Sequence, residues 1–249
     1  MLPLIRKGTT PPALVLLHFF GGSRREWTEA AAIFSQQYEC IAMDLPGFGE
    51  AANIAGYTVE EMAGQIAATL DSLHLTGFVL AGHSMSGKLS LCLAARHLAG
   101  LCGLVLVTPS PPSPEPIPEP NRKKMLALQR ERADAEIFLD GITAHALTGD
   151  VRERAIEDFV RCSPAAWAAW LEYGSREDWS ARIGIVDCPT LVITGGADPS
   201  LPASVQEKFT LPHLSRARLE VISQCGHLPT MESPEELSSL ILHFMQHDL

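Results

Sequence analysis

With 249 residues, 46% of them apolar and 19% charged, the chain is long enough to bury a substantial core as one α/β domain and has the composition of a globular protein. Its formal net charge of −10 repels phosphate backbones and anionic bilayers, which argues against nucleic-acid partners. No apolar run approaches the roughly 20 residues that span a bilayer, which argues against integral membrane association and leaves small-molecule substrates as the expected partners.

From the amino terminus, Arg6 and Lys7 precede an apolar stretch, Ala13 to Leu17, too short for a signal-peptide core, so a cytoplasmic protein is expected. Short β-rich runs then alternate with helical patterns, the signature of a mostly parallel central sheet with helices on both faces. Strands are predicted at Ala13 to His18, Glu39 to Met43, Phe78 to Ala81, Leu104 to Thr108, Thr190 to Thr194 and Arg218 to Ile222. A helix begins after Thr58, which with Glu61 makes a capping-box pattern ahead of the apolar stripe Val59, Met62, Ile66, Leu70 and Leu73. The last helix is read the same way, with Ser233 as cap, Pro234 in the first helical position and Glu236 closing the box.

The alternation breaks between Pro109 and about Ile185, too far for one crossover connection, so residues 109–185 are expected to form an inserted helical lid on a core made of 1–108 and 186–249. Seven prolines, from Pro109 to Pro120, open the insertion as a stiff strap; Pro111 to Pro114 also fits a PxxP ligand pattern, but a segment leaving a strand and entering a helix reads better as structural. Asn121 is predicted to cap the next helix. After Ser163 and Pro164 another helix puts Trp167, Trp170 and Leu171 on one face, and Phe138, Trp167, Trp170 and Trp179 suggest an apolar pocket.

Three places carry chemistry. Gly82-His83-Ser84-Met85-Ser86-Gly87 lies between a strand and a helix, where a sharp turn lifts a serine oxygen above the sheet and next to a helix amino terminus that favours negative charge. The pattern G-x-S-x-G expects glycine at Ser86, so the turn is expected to be slightly adjusted. Asp198 follows the strand Thr190 to Thr194 through Gly195-Gly196-Ala197, and His227 follows the strand Arg218 to Ile222 within Cys225-Gly226-His227-Leu228-Pro229. A lone aspartate in such a loop is usually a turn former, and one histidine of nine is weak evidence. All three residues nevertheless follow predicted strands, at the sheet edge where open α/β sheets build their sites.

In this order, Ser84, Asp198 and His227 resemble the triad of the α/β-hydrolase superfamily, and the resemblance, to its lid-bearing serine hydrolases, covers nearly the whole chain. His18-Phe19-Phe20-Gly21-Gly22-Ser23 is similar to the family's oxyanion loop, with Phe19 where glycine is usual, and Asp44-Leu45-Pro46-Gly47-Phe48-Gly49 is similar to its D-x-x-G-x-G turn. The resemblance implies that the backbone N–H groups of Phe20 and Met85 hold the oxyanion, and that the family's leading hairpin is reduced to an edge segment near Leu4. It implies a carboxylesterase-like enzyme for small or medium acyl esters, with lactonase, thioesterase and carbon–carbon bond hydrolase as alternatives on the same residues. A small-molecule receptor keeping the triad is the alternative from another class.

Neither a metal nor a cofactor is expected: His243 and His247, spaced four apart, lack further ligands nearby, and the glycine clusters match no phosphate-binding fingerprint. The six cysteines, Cys40, Cys92, Cys102, Cys162, Cys188 and Cys225, are scattered singly and read as reduced core thiols. Cys225, close to His227, is a weaker candidate nucleophile than Ser84.

Overall fold

The computed structural model describes residues 1–249. Seven strands form one sheet: β1 (Leu4–Lys7), β2 (Ala13–Leu17), β3 (Cys40–Met43), β4 (Phe78–His83), β5 (Leu101–Val107), β6 (Thr190–Gly195) and β7 (Ala217–Ile222). Their order across the sheet is β1-β3-β2-β4-β5-β6-β7, and only β1 runs antiparallel, pairing Leu4 with Met43. β2 and β4 lie near the centre and are buried along their whole length, which calls for the near-continuous apolar runs Ala13 to Leu17 and Phe78 to Ala81.

Alternating side chains sort into two cores. Val15, Leu17, Leu80, Leu104 and Leu106 pack on one face against α2 (Val59–Leu73) and α3 (Met85–Ala94), while Leu14, Leu16, Val79, Val105 and Val107 pack on the other against α1 (Thr28–Phe34) and α11 (Pro234–His247). Each fully buried leucine or valine of these layers contributes about 1.5–3 kcal/mol, so the sheet is a rigid platform for whatever its loops carry. α2 starts as its sequence dictates, with the Thr58 hydroxyl taking the Glu61 N–H and the Glu61 carboxylate taking the Thr58 N–H.

Between β5 and β6 the chain builds α4 (Glu119–Leu126), α5 (Arg132–Ile142), α6 (Gly149–Arg161), α7 (Pro164–Glu172) and α8 (Ser180–Ile183). After β6 come α9 (Ala203–Phe209) and, after β7, the short α10 (Pro229–Glu232). Two expected caps are corrected. Asn121 lies inside α4, which begins at Glu119 after Pro118, because the fixed φ of Pro118 and Pro120 already suits a first turn. Ser233 precedes α11 but its hydroxyl makes no capping bond and Glu236 closes no box; it also ends α10, and its φ of −144° and ψ of 53° follow from serving two helices at once. The strands differ from their predicted limits by one to three residues, with β5 starting at Leu101 and β4 extending through His83. No helix is long and apolar enough to cross a membrane.

Candidate active site

β4 ends at His83 and α3 begins at Met85, so a single residue turns the chain. That residue is Ser84, with φ 54° and ψ −117°, a strained conformation of the kind that active sites retain. The turn brings strand and helix so close that a Cβ on Gly82 would lie 2.5 Å from the Ser86 carbonyl oxygen. The departure from glycine at Ser86 is put to use: its oxygen takes the His83 N–H at 3.0 Å and lies 2.9 Å from the Leu17 carbonyl and 2.8 Å from that of His18. The turn is thereby stitched to the loop after β2.

His227 arrives from β7 on a loop held by Glu232, whose carboxylate accepts the N–H groups of Gly226, Leu228 and Ala144. The His227 N–H itself donates to Ile142 at the end of α5, so the loop is fixed to the helical segment as well as to the sheet. Asp198 follows β6. Its Oδ1 accepts from the backbone of Ser200 at 2.7 Å and Leu201 at 3.1 Å, which aims Oδ2 at His227 Nδ1, 2.8 Å away. On the other side of the ring, His227 Nε2 lies 2.8 Å from Ser84 Oγ and accepts its proton. All three residues are buried.

Burial works against an imidazolium at His227, yet the Asp198 charge and hydrogen bond, helped by Glu115 and Glu232, outweigh it and raise the ring above its ordinary 6.5. Burial likewise opposes the Asp198 carboxylate, but the His227 ring and the two backbone N–H groups hold it below the usual carboxylate range. The arrangement can take a proton from a serine hydroxyl and keep it.

The loop after β2 is locked at both backbone groups of one residue. The Phe19 N–H donates to Glu26 Oε2 at 3.1 Å, and the Phe19 carbonyl accepts from His18 Nδ1 at 2.8 Å. The N–H groups of Phe20, next in that loop, and of Met85, first in α3, have no partner in the protein. Phe19, at the position where glycine was expected, buries its ring against Gly22, where a Cβ would sit 2.4 Å away, and beside the His83 ring. The Phe20 ring stacks on Trp167 of α7, with centroids 4.2 Å and planes 24° apart.

Two contributors escape a reading of sequence alone. Glu26 is fully buried, and its Oε1 meets His83 Nδ1 at 2.9 Å while His83 Nε2–H donates to the His227 carbonyl at 2.8 Å. A chain of bonds therefore joins the Phe19 peptide to the backbone of His227. Glu115, in the proline strap, lies at the wall of the cavity into which Ser84 and His227 open. That cavity of about 440 Å³ is otherwise bounded by the apolar Ile117, Met125, Ile137, Phe138, Trp170 and Leu171 and by the polar Asn121 and Ser200, with Lys124 exposed among the lining residues. Of the four aromatic residues that suggested a pocket, Phe138 and Trp170 face it, whereas Trp167 backs Phe20 and Trp179 packs away from it under the Arg182 guanidinium. No sequence signal marks Glu26; for Glu115 the one hint is an acid among prolines.

The pattern described as "Alpha/beta hydrolase family" matches residues 14–240. The chain is 38% identical over 245 residues to 2-succinyl-6-hydroxy-2,4-cyclohexadiene-1-carboxylate synthase of Enterobacter sp. (strain 638), covering 94% of this chain and 92% of that protein. It is 28% identical over 241 residues to the pimeloyl-[acyl-carrier protein] methyl ester esterase of Neisseria meningitidis serogroup C, with 93% and 92% covered. Similarity to the dihydrolipoyllysine-residue acetyltransferase component of the acetoin cleaving system of Pseudomonas putida, 29% over 246 residues, takes in 96% of this chain but only 64% of that longer protein. Among solved structures, a thermophilic esterase from Thermogutta terrifontis superposes with a TM-score of 0.81 at 27% identity, over 98% of this chain and 93% of the other.

Proposed function

The chain belongs to the alpha/beta hydrolase family, and on that premise we propose that it is a serine hydrolase that cleaves a small or medium acyl ester through an acyl-enzyme on Ser84. The observation that carries this reading is the unbroken bond sequence Ser84 Oγ, His227 Nε2 and Nδ1, Asp198 Oδ2, each link 2.8 Å, opening into a cavity large enough for a small acyl chain. His227 takes the Ser84 proton as the oxygen attacks the carbonyl carbon, and Asp198 stabilises the resulting imidazolium. The free N–H groups of Phe20 and Met85 hold the oxyanion, and in sites of this type each donor is worth about 3 kcal/mol. His227 then hands its proton to the leaving oxygen, and water repeats the sequence to release the acid. Residues 109–185 act as the lid that covers the cavity, and the small-molecule acyl substrate is the partner. The six unpaired cysteines support a reducing, cytoplasmic setting.

Incubation with an organophosphonate ester followed by mass spectrometry tests the nucleophile: one adduct on the Ser84 peptide is expected, together with a loss of roughly three or more powers of ten in p-nitrophenyl ester turnover on Ser84→Ala. Undiminished turnover by S84A would remove Ser84 from the mechanism.

One rival has a specific observation behind it, the 38% identity to a synthase whose named product carries succinyl and carboxylate groups. Against it stands the charge of the cavity: the wall beside Ser84 and His227 presents the Glu115 carboxyl, and the one cation among the lining residues, Lys124, is exposed. Ester, thioester, lactone and vinylogous diketone substrates in one panel separate these chemistries.

A further inference from the structure

Glu115 is placed with care by its surroundings. It leaves β5 on the proline strap, whose start is bonded to the Ser84 turn through the Ser110 N–H and the Ser84 carbonyl, 2.9 Å apart. Its own N–H is held by the Ser175 carbonyl at 2.7 Å. Of the two carboxyl oxygens, Oε2 accepts the Ser110 hydroxyl at 2.8 Å, while Oε1 has no partner in the protein. No cation lies within ion-pairing distance. The nearby buried ammonium of Lys88 is spent on the carbonyls of Gly174 and Glu177. Burial pushes the Glu115 carboxyl above the usual carboxylate range, against the Ser110 bond and the charges of Lys88, His227 and Arg122. Glu115 is half-buried at the cavity wall, which leaves Oε1 open to whatever occupies the cavity. Among the residues lining the cavity it is the sole acid, and it shares that cavity with Ser84.

We propose that Glu115 is a specificity-determining residue whose free oxygen receives a hydrogen-bond donor, hydroxyl or ammonium, carried on the chain of the ester substrate, so that polar-tailed esters are preferred to purely alkyl ones. The inference rests on the reading of Ser84 as the nucleophile. A polar tail pairs with Oε1 and completes the set of bonds that Ser110 begins. An alkyl tail of equal length strips water from Oε1 and gives nothing back, and sites built to bond a donor reject analogues that lack it.

The test compares p-nitrophenyl butyrate, pentanoate and hexanoate with the same esters carrying a β-hydroxyl or an ω-ammonium group, in the parent protein and in Glu115→Leu, Glu115→Ala and Glu115→Gln. The quantity read is the ratio of kcat/KM, polar to alkyl, at matched length. The parent ratio is expected to reach about tenfold or more in at least one series, and to fall by about tenfold in E115L and E115A. Two apolar variants guard against one failing to fold, which a thermal melt reports. E115Q separates the two donors, because a neutral amide keeps an acceptor for hydroxyl but gives up the attraction for ammonium. A parent without preference for either polar series, or a ratio that changes by less than about threefold in the folded apolar variants, overturns the proposal. Activity surviving in S84A would instead overturn the underlying assignment, whereas loss of activity in S84A with an unmoved ratio sinks only the role of Glu115.

Discussion

Replacing Asp198 by asparagine is nearly isosteric, and the structure says why it will nevertheless be damaging. Oδ1 is bonded by the Ser200 and Leu201 N–H groups, and only an oxygen can accept both, so the amide of D198N is forced to keep its oxygen there. Its NH2 then faces His227 Nδ1 from 2.8 Å and donates where the carboxylate accepted. The ring answers by carrying its proton on Nε2, which points at Ser84 Oγ and leaves no lone pair to receive the serine proton. Recovering the working tautomer means opposing two donors in a buried site, at about 1–3 kcal/mol, and forgoing a charge-assisted bond worth about 1.5–3 kcal/mol. The sum, roughly 3–6 kcal/mol, corresponds to a fall of about 10² to 10⁴ in kcat/KM at 1.4 kcal/mol per power of ten. The assay is p-nitrophenyl ester hydrolysis at pH 7.5 by D198N beside Asp198→Ala, in which water can fill the space and accept from Nδ1. The tautomer argument requires D198N to be no better than D198A; an asparagine variant more than about tenfold faster than the alanine one would refute it.

Further outcomes follow from the same geometry. The pH profile of kcat/KM should rise as His227 loses its proton, with a midpoint above the ordinary 6.5, because Asp198, Glu115 and Glu232 together overcome burial; a midpoint below 6.5 would contradict this. Glu26→Gln should keep activity within about tenfold, since its oxygen can accept from Phe19 and its NH2 can donate to His83, whereas Glu26→Leu strands a buried donor and should lose about 2–4 kcal/mol of stability along with most turnover. Equal damage from both substitutions would argue against the bonding scheme. Lys88 is fully buried, and burial pushes its ammonium down to about 8, against the charges of Glu115 and Glu177. A folded value below the unfolded 10.5 is a penalty present at neutral pH and relieved as pH climbs from about 8 to 10.5. Lys88→Met should therefore be more stable by about 1–3 kcal/mol in urea at pH 7, with the gain shrinking at pH 10; a destabilised variant would show the two carbonyl bonds to matter more than the charge.

The sheet was legible because its strands stand out as short apolar runs between helical patterns, and three of them, β4, β6 and β7, also deliver Ser84, Asp198 and His227 to a common edge. Even β1, four residues long and mostly exposed, was anticipated as an edge segment. What local sequence misjudged were the places where a neighbour overrides a side chain's own preference. Asn121 is a good cap by propensity, but prolines before it had already set the helical turn. Ser233 is another, but it is shared between two helices. Glu26 could not be read at all, because its meaning comes from a distant partner: His83, against which it packs, lies 57 residues away. Glu115 offered only its place as an acid among prolines, which says nothing of the cavity it borders. The tryptophans show the same limit, since helical spacing put Trp167 and Trp170 on one face without saying that Trp170 would meet the cavity and Trp167 the Phe20 ring.

The Phe20 ring has a further consequence through the helix it leans on. Trp167, which it stacks against, and Trp170, which borders the cavity, both belong to α7, so one helix braces the loop after β2 and shapes the chamber wall. A substitution that shrinks either aromatic partner is therefore felt in two places at once, in the set of the loop and in the contour of the space beside Ser84.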